Sequence, residues 1–251
     1  MVSKYIICGF LVFLLRVIMV KTILRKKRKF YVIQTNSDGT SSKVLIPVKT
    51  LIILGSGGHT MEMLRLIKYL TPDKYSPLVF VIAETDYHSL AKIKLHCNNI
   101  FKKTDKIKID NSNDDQHKAL ESENELTKLN DKKYSVVKIP RCREVQQPWL
   151  TIFKPTTLAL YKSFLLLYNE RPDMILTNGP GTCIPICLAA LVYQILGLFK
   201  LPTVVYIESV CRTHSLSLSG KILYIISDLF FVQWQSLKNQ YNRAIYIGRM
   251  I

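Results

Sequence analysis

Short, uniformly apolar segments alternate along this chain with longer segments of helical periodicity. The apolar runs are residues 50–54, 78–83, 174–177 and 203–207. A strand that is covered by helices on both of its faces has this uninterrupted apolar composition. Residues 60–70 repeat apolar side chains at intervals of three and four, which is typical of an amphipathic helix. Strand, turn, helix and strand at these lengths predict an α/β fold built on a parallel sheet.

The remaining elements follow from the same criteria. Helices are predicted at residues 85–95, 150–170, 184–199 and 219–227, further strands at 134–139 and 229–232, and a last short segment at 244–247. In the helix at 60–70, Glu62, Arg65 and Lys68 are expected to face solvent. The helix at 184–199 contains no charged residue, and we interpret it as a buried core helix. A second membrane span or partial immersion in a membrane surface is the alternative.

An apolar segment near the N-terminus predicts a single membrane anchor. Residues 5–20 are interrupted only by Arg16, and a basic cluster at 25–29 follows directly. Because basic residues stay on the cytosolic side of a spanning helix, this order favours a retained anchor with the rest of the chain in the cytosol. The segment is shorter than the ~20 residues of a typical span, so a cleaved signal peptide and an interfacial helix are the alternatives.

A polar segment interrupts the α/β pattern at residues 102–133. It has no aromatic residue and few apolar ones, which predicts a flexible charged insertion. The predicted domains are therefore an anchor with its basic flank at 1–29, a polar connector with a turn at 30–49, and an α/β domain at 50–251 that contains the insertion.

The net charge of +17 lies outside this insertion, whose eight basic and eight acidic residues cancel. Such an excess favours acidic partners, namely nucleic acid, anionic lipid or phosphate-bearing substrates. No RNA-binding aromatic motif, zinc-finger spacing or basic helix with heptads is present, so we predict no nucleic-acid partner. The six cysteines form no CxxC pair, so we interpret them as reduced, buried thiols and predict no metal site.

The loop at residues 55–60 is the first candidate for chemistry, because it is rich in glycine and joins a predicted strand to a predicted helix. Glycine lets a ligand approach the backbone, and a helix that begins there directs free N–H groups toward it. This predicts a binding site for phosphate or pyrophosphate. The residues expected to form it are Gly55, Ser56, Gly57, Gly58 and Thr60.

Two known nucleotide-binding motifs also have a glycine-rich turn before a helix, but this loop lacks a required residue of each. A P-loop has a lysine after its last glycine, where this chain has His59, so ATP or GTP hydrolysis is disfavoured. A dinucleotide fingerprint has a third glycine that packs helix on strand, and that glycine is absent. A simple strand-to-helix turn is the remaining alternative. His59 could take a proton from an attacking hydroxyl, or it could be a structural histidine bonded to a loop carbonyl.

Other predicted strands also end in candidate residues, and ligands bind at the carboxyl ends of strands in an open parallel sheet. These candidates are Asp86, Arg141, Arg143, Asn178, Gly179, Gly181, Glu208 and Arg212. The arginines could clamp a diphosphate, or they could be solvated surface charges. Glu208 could bind a sugar hydroxyl or orient His59. Alternatively, Glu208 could cap the following helix or pair with Arg212.

Four segments of the chain also carry a resemblance to a known family. Residues 55–63, 140–145, 178–182 and 206–209 together resemble the membrane-anchoring, Alg14-like subunit of the UDP-N-acetylglucosamine transferase of asparagine-linked glycosylation. The similarity runs from the anchor to the C-terminus, apart from the insertion. It implies a Rossmann-like domain with helices on both faces that forms the N-terminal half of a GT-B glycosyltransferase.

The resemblance also implies partners and a reaction. A small cytosolic Alg13-like subunit would supply the other half of the enzyme, held partly by residues 246–251. The pair would transfer N-acetylglucosamine from UDP-N-acetylglucosamine to dolichyl-diphosphate-N-acetylglucosamine with inversion, without a metal or other cofactor, and with His59 as candidate base. The expected location is the cytosolic face of the endoplasmic reticulum membrane, or the nuclear envelope. A pure membrane scaffold and a self-sufficient glycosyltransferase are the alternatives.

Overall fold

The computed structural model describes most of the predicted α/β domain. The described residues are 31–35, 41–71, 74–109, 134–141, 153–198 and 202–250. The predicted anchor, most of the predicted insertion and Arg143 lie outside them. Within these described ranges, no helix has both the length and the apolar composition that crossing a membrane requires.

Strands and helices alternate along the described chain after an initial pair of strands. The strands are β1 Tyr31–Thr35, β2 Ser41–Leu45, β3 Thr50–Ile53, β4 Leu78–Ala83, β5 Tyr134–Ile139, β6 Met174–Thr177, β7 Thr203–Ile207, β8 Leu229–Val232 and β9 Ile245–Tyr246. The helices are α1 Gly58–Ile67, α2 Tyr87–Ile109, α3 Phe153–Glu170, α4 Cys183–Leu196, α5 Leu218–Ile226 and α6 Gln235–Gln240.

Seven of the strands form one parallel sheet in the order β5-β4-β3-β6-β7-β8-β9. Strand β3 lies in its interior, where Thr50 aligns with Leu78 of β4 on one side and with Met174 of β6 on the other. The chain builds outward from β3 to β5 and then returns to place β6 beside β3. This change of direction sets the loops after β3 and β6 next to each other, at the edge where open α/β sheets bind ligands.

Helices cover both faces of the sheet, as the apolar strands predict. Ile52 and Phe80 pack in one buried cluster with side chains of α1 and α2. Leu51 and Val79 alternate with them and pack in a second cluster with side chains of α3, α4 and α5. Each such fully buried side chain contributes roughly 1.5–3 kcal/mol. The fold is therefore the predicted α/β fold, a Rossmann-like parallel sheet between two helical layers.

The uncharged helix α4 belongs to the core, as predicted. Cys183, Ile186 and Cys187 are fully buried, and the helix ends at Gly197 in the left-handed conformation that favours glycine. Burial raises the pKa of the Cys187 thiol, which fits an inert packing residue. The prediction that the cysteines are buried is wrong for Cys211, which is exposed in the loop after β7.

The strands β1 and β2, the C-terminal part of α2 and the helix α6 are not predicted from local patterns. Strands β1 and β2 form an antiparallel hairpin within the segment 30–49, for which the sequence predicts only a polar connector with a turn. Helix α2 continues through residue 109, past the predicted start of the insertion, because residues 102–109 contain no glycine or proline to stop it. Helix α6 is short, and Leu237 is its one buried residue, so its periodic signal is weak.

Candidate functional site

A cleft of about 690 Å³ lies at the carboxyl edge of the sheet. The first turn of α1, the loop after β7 and the start of α5 form its walls. Five of the predicted site residues line it, namely Gly58, His59, Gly179, Glu208 and Arg212. The structure thus brings residues from three predicted loops together, and it adds Arg65, for which the sequence predicts only a solvent-facing position.

The N-terminus of α1 is open toward this cleft. Gly57 precedes the helix with a φ of 62° and, having no side chain, caps none of the N–H groups of the first turn. A Cβ atom added at Gly57 or Gly58 would meet no atom within 4 Å. The first N–H groups of a helix have no intrahelical partner, so this end offers free donors and a positive dipole to an anion.

The base of the same loop is packed tightly. A Cβ atom at Gly55 would lie 2.8 Å from the Cβ atoms of both His59 and Pro180, so only glycine fits between them. The buried Thr60 hydroxyl donates to the Gly55 carbonyl and lies 2.8 Å from the Ser89 hydroxyl. Gly55 and Thr60 therefore fix the path of the loop.

Asp86 lies just behind this loop. Its carboxylate accepts hydrogen bonds from the Ser89 N–H at 3.1 Å and from the Ser89 hydroxyl at 2.7 Å. Ser89 is in the first turn of α2, so Asp86 satisfies one of the free donors at the start of that helix. The side chain is buried and does not line the cleft. Its geometry supports a role in holding the loop, and a contact with substrate stays a prediction.

The loop after β6 supports the first loop from below. The fully buried Asn178 donates from Nδ2 to the His59 carbonyl at 2.8 Å, and the same nitrogen is 3.4 Å from Oε2 of Glu62. Gly179 has a φ of 96°, and a Cβ atom there would lie 2.7 Å from the Tyr206 hydroxyl. Gly181 borders open space.

The prediction that Glu62 faces solvent is wrong. Its side chain is buried at the base of the cleft. Its Oε1 atom accepts from the Val210 N–H at 2.7 Å and from Nε2 of Gln233 at 3.0 Å. One carboxylate on α1 therefore connects the loops that follow β6, β7 and β8. Helical periodicity could not reveal this, since all of these partners lie on distant segments.

The imidazole of His59 is partly exposed and lines the cleft. Its Nδ1 atom lies 4.0 Å from Oε2 of Glu62, which is too long for a hydrogen bond. This nitrogen is buried and has no hydrogen-bond partner among the residues that the structure describes. The imidazole therefore lies at the cleft beside a carboxylate, and no hydrogen bond from the described residues holds its Nδ1 atom.

Glu208 is held on all sides by hydrogen bonds. The Ser217 N–H donates to its carboxylate at 3.1 Å, the Ser209 N–H at 3.2 Å and the Tyr206 hydroxyl at 3.3 Å. Burial raises the pKa of Glu208, and these bonds only partly oppose it. Because Ser217 is the N-cap of α5, this agrees with the alternative in which Glu208 helps cap the following helix. No ion pair with Arg212 is found within the described part of the chain.

The remaining predicted residues lie at different distances from the cleft. Arg212 is exposed on its wall, whereas Arg141 is half-buried after β5 and does not line it. Ser56 is exposed in the first loop. Arg143 lies outside the described residues. In the parts of the chain described above, no three His, Cys, Asp or Glu side chains are grouped so that they could hold a metal ion.

A doubly wound sheet with an open, glycine-rich helix N-terminus at its switch point defines the general class, a Rossmann-like α/β domain suited to phosphate-bearing ligands. The particular family follows from comparison with known proteins. The model of the family described as "Oligosaccharide biosynthesis protein Alg14 like" matches residues 50–250. The chain therefore belongs to the Alg14 family.

Individual relatives are similar over most of their length. Proteins named UDP-N-acetylglucosamine transferase subunit ALG14 include one from Homo sapiens, 40% identical over 89% of this chain and 91% of that protein. The one from Schizosaccharomyces pombe is 36% identical over 85% and 88%.

Solved structures show lower similarity. Acinetobacter baumannii MurG aligns with a TM-score of 0.45 at 13% identity, over 81% of this chain and 44% of that one. A UDP-N-acetylglucosamine 2-epimerase from Rickettsia bellii aligns with a TM-score of 0.47 at 14% identity, over 81% and 45%. The chain thus spans less than half the length of these two proteins.

Proposed function

We propose that this chain is the membrane-anchoring subunit of a two-subunit UDP-N-acetylglucosamine transferase. The names of its relatives support this, since each is called a subunit of such a transferase. The architecture supports it too, because the described chain supplies one Rossmann-like domain with an open cleft. A GT-B active site lies between two such domains, so a small Alg13-like cytosolic partner would close the cleft and bind most of the UDP-sugar.

The open N-terminus of α1 is the main structural support for an acceptor-binding site in this chain. Free N–H groups beside Gly57 and Gly58 would stabilise the diphosphate of dolichyl-diphosphate-N-acetylglucosamine. Arg65 and Arg212 line the same cleft and would add positive charge without a metal ion. The second N-acetylglucosamine would then be added to this acceptor from UDP-N-acetylglucosamine.

His59 would act as the general base. Its Nε2 atom would accept the proton of the acceptor O4 hydroxyl while that oxygen bonds to the anomeric carbon of the donor. The bond from this carbon to the UDP oxygen would break with inversion, and UDP would leave with the electron pair. Glu62, 4.0 Å from Nδ1, would stabilise the imidazolium that forms.

The C-terminal segment would hold the partner subunit. The Ile247 N–H donates to the Val232 carbonyl at 3.1 Å, and the Met250 N–H donates to Oε1 of Gln233 at 3.2 Å. These bonds fix the end of the chain beside the edge strand β9, where Tyr246 is exposed. An exposed apolar edge of this kind suits a protein partner. The predicted anchor would place this assembly on the cytosolic face of the endoplasmic reticulum.

Replacement of His59 tests the catalytic part of this proposal. In the assembled complex, His59→Ala should reduce kcat by about 10²–10⁴-fold, the usual contribution of a general base. His88→Ala is the matched control, because His88 is exposed in the first turn of α2. Near-normal turnover of intact His59→Ala complex would remove His59 from catalysis.

Co-purification tests the assembly. Full-length protein isolated from membranes should bring a small soluble transferase-like subunit with it, and removal of residues 245–251 should release that subunit. Glycosyl transfer by the purified chain alone would contradict the two-subunit proposal. A complex that keeps full activity after changes at both Gly57 and Gly58 would favour a pure scaffold instead.

A further inference from the structure

A second cavity, of about 210 Å³, lies between α1 and α2 on the outer face of the helical layer. We call it the α1–α2 groove. It is lined by Met61, Leu64, Arg65, Lys68, Lys92, Leu95 and His96. Met61 and Arg65 also line the cleft at the carboxyl edge of the sheet. The groove therefore continues the cleft along the surface of the protein.

Apolar side chains form the floor and part of the rim of this groove. Leu64 is buried at its base, whereas Met61 and Leu95 are 41% and 66% exposed on opposite helices. Single exposed apolar residues are ordinary on protein surfaces, but two that face one groove form a local apolar strip. The packing of the domain gives no reason for that exposure, because neither side chain adds to the buried core.

The charged side chains of the groove are all cationic. Arg65, Lys68 and Lys92 line it, and no acidic residue does. None of the three forms an ion pair with any residue in the described ranges. The one carboxylate in α1, Glu62, is buried and bonded to other loops. The surface therefore presents unneutralised positive charge next to exposed apolar groups.

We propose that the α1–α2 groove is a membrane-contacting surface that binds anionic phospholipid. Cations would contact the headgroup phosphates while Met61 and Leu95 enter the boundary with the acyl chains. A further consequence rests on the proposed function of this chain. A bilayer at the groove would let a lipid-linked diphosphate pass directly to the N-terminus of α1, since the groove and the cleft share two residues.

Lipid quenching of a fluorophore tests the contact directly. The full-length complex, with Cys8, Cys142 and Cys211 replaced by serine, is reconstituted in vesicles that contain brominated phosphatidylserine. A fluorophore is attached at Leu95→Cys, and the control probe is at Leu165→Cys, which is exposed on α3 on the other face of the sheet. Quenching at residue 95 and not at 165 is expected. Equal quenching at both sites, or none at 95, would overturn the proposal.

Charge reversal tests the electrostatic part. One basic residue near an anionic bilayer contributes ~1 kcal/mol, which corresponds to about a five-fold change in partitioning. Lys68→Glu and Lys92→Glu should each reduce quenching at residue 95 at least that much in anionic vesicles, and have little effect in phosphatidylcholine vesicles. Lys162→Glu on α3 is the matched control, and an equal effect of this variant would contradict the groove's role.

A soluble competitor separates a bilayer from a simple phosphate site. Glycerophosphoserine in excess should leave the quenching unchanged, because it lacks the acyl chains that would contact Met61 and Leu95. Loss of quenching under this competitor would mean that the groove binds free phosphate, and would overturn the membrane assignment. All of these measurements are made without sugar substrates, so their failure would leave the proposed transferase function standing, and the reverse also holds.

Discussion

The two loops of the cleft are both rich in glycine, but their glycines have different physical roles. In the loop after β3, Gly57 and Gly58 leave the backbone beside open space. In the loop after β6, Gly179 is required because its φ is 96° and the Tyr206 hydroxyl occupies the place of a Cβ atom. Glycine content alone therefore does not distinguish a ligand-binding backbone from a tightly packed one.

The two loops nevertheless form one structure. Asn178 of the second loop donates to the His59 carbonyl of the first, and the same amide nitrogen lies 3.4 Å from the buried carboxylate of Glu62. The first loop thus presents the open donors, and the second loop with Glu62 holds them in place. If this division is correct, changes in the supporting residues should reduce stability, whereas a change at Gly58, which has open space and no positive φ, should affect binding alone.

The largest effect is expected at Glu62. In Glu62→Ala, the Val210 N–H and the Gln233 amide lose their buried acceptor, at about 1–3 kcal/mol for each group. The free energy of unfolding should therefore fall by roughly 2–6 kcal/mol, as measured by urea denaturation of the complex. Glu84→Ala is the control, because Glu84 is exposed after β4. Equal stability of the two variants would show that Glu62 does not hold the loops together.

The next largest effect is expected at Gly179. Alanine there has to adopt a left-handed conformation and displace the Tyr206 hydroxyl, so Gly179→Ala should lose about 1–3 kcal/mol of stability. Gly181→Ala, in the same loop but beside open space, should be neutral or stabilising by less than about 1 kcal/mol. Thermal unfolding of both variants makes the comparison. A stable Gly179→Ala protein would remove the distinction between the loops.

A pH-dependent effect is expected from Glu208. Burial raises its pKa in the folded protein above that in the unfolded chain, so the folded state retains its proton to higher pH. The stabilisation that protonated Glu208 gives to the folded state is complete at pH values below its pKa in the unfolded chain. It is lost as the pH rises through its pKa in the folded protein. The stability advantage of wild type over Glu208→Gln should therefore shrink as pH rises from about 4 toward neutral. Denaturant unfolding across this range measures it, and an advantage that grows with pH would contradict it.

The smallest effect on stability is expected at Gly58. A methyl group there meets nothing within 4 Å, so Gly58→Ala should change the free energy of unfolding by less than about 1 kcal/mol. It should nevertheless weaken the binding of a short-chain prenyl-diphosphate acceptor analogue, because the methyl group enters the cleft beside the free N–H groups. Calorimetric titration of the complex checks this. Unchanged affinity would mean that the diphosphate does not approach this backbone.

Much of the fold follows from local pattern, and the exceptions have local causes. Strands β3, β4, β6 and β7 lie where uniformly apolar runs predict them. The end of α2 was misplaced because charged residues such as Lys102 and Lys103 suit a helix as well as a loop. The sequence does not predict the hairpin of β1 and β2, because its two five-residue strands, YVIQT and SSKVL, show no regular alternation of apolar and polar residues.

By itself, the sequence determined the α/β class, the buried strands, the glycine-rich turn before α1 and the family motifs. These are properties of residues that are neighbours in the sequence. Their apolar periodicity indicates which face of a strand or helix is buried, and their glycines indicate where the chain turns. The tertiary structure alone decided that Glu62 is buried and that the two loops meet. The partners of Glu62 at Val210 and Gln233 are 148 and 171 residues away, and Asn178 is 119 residues from His59. No local pattern contains such contacts, because they exist only once the strand order has placed β6 beside β3, followed by β7 and then β8.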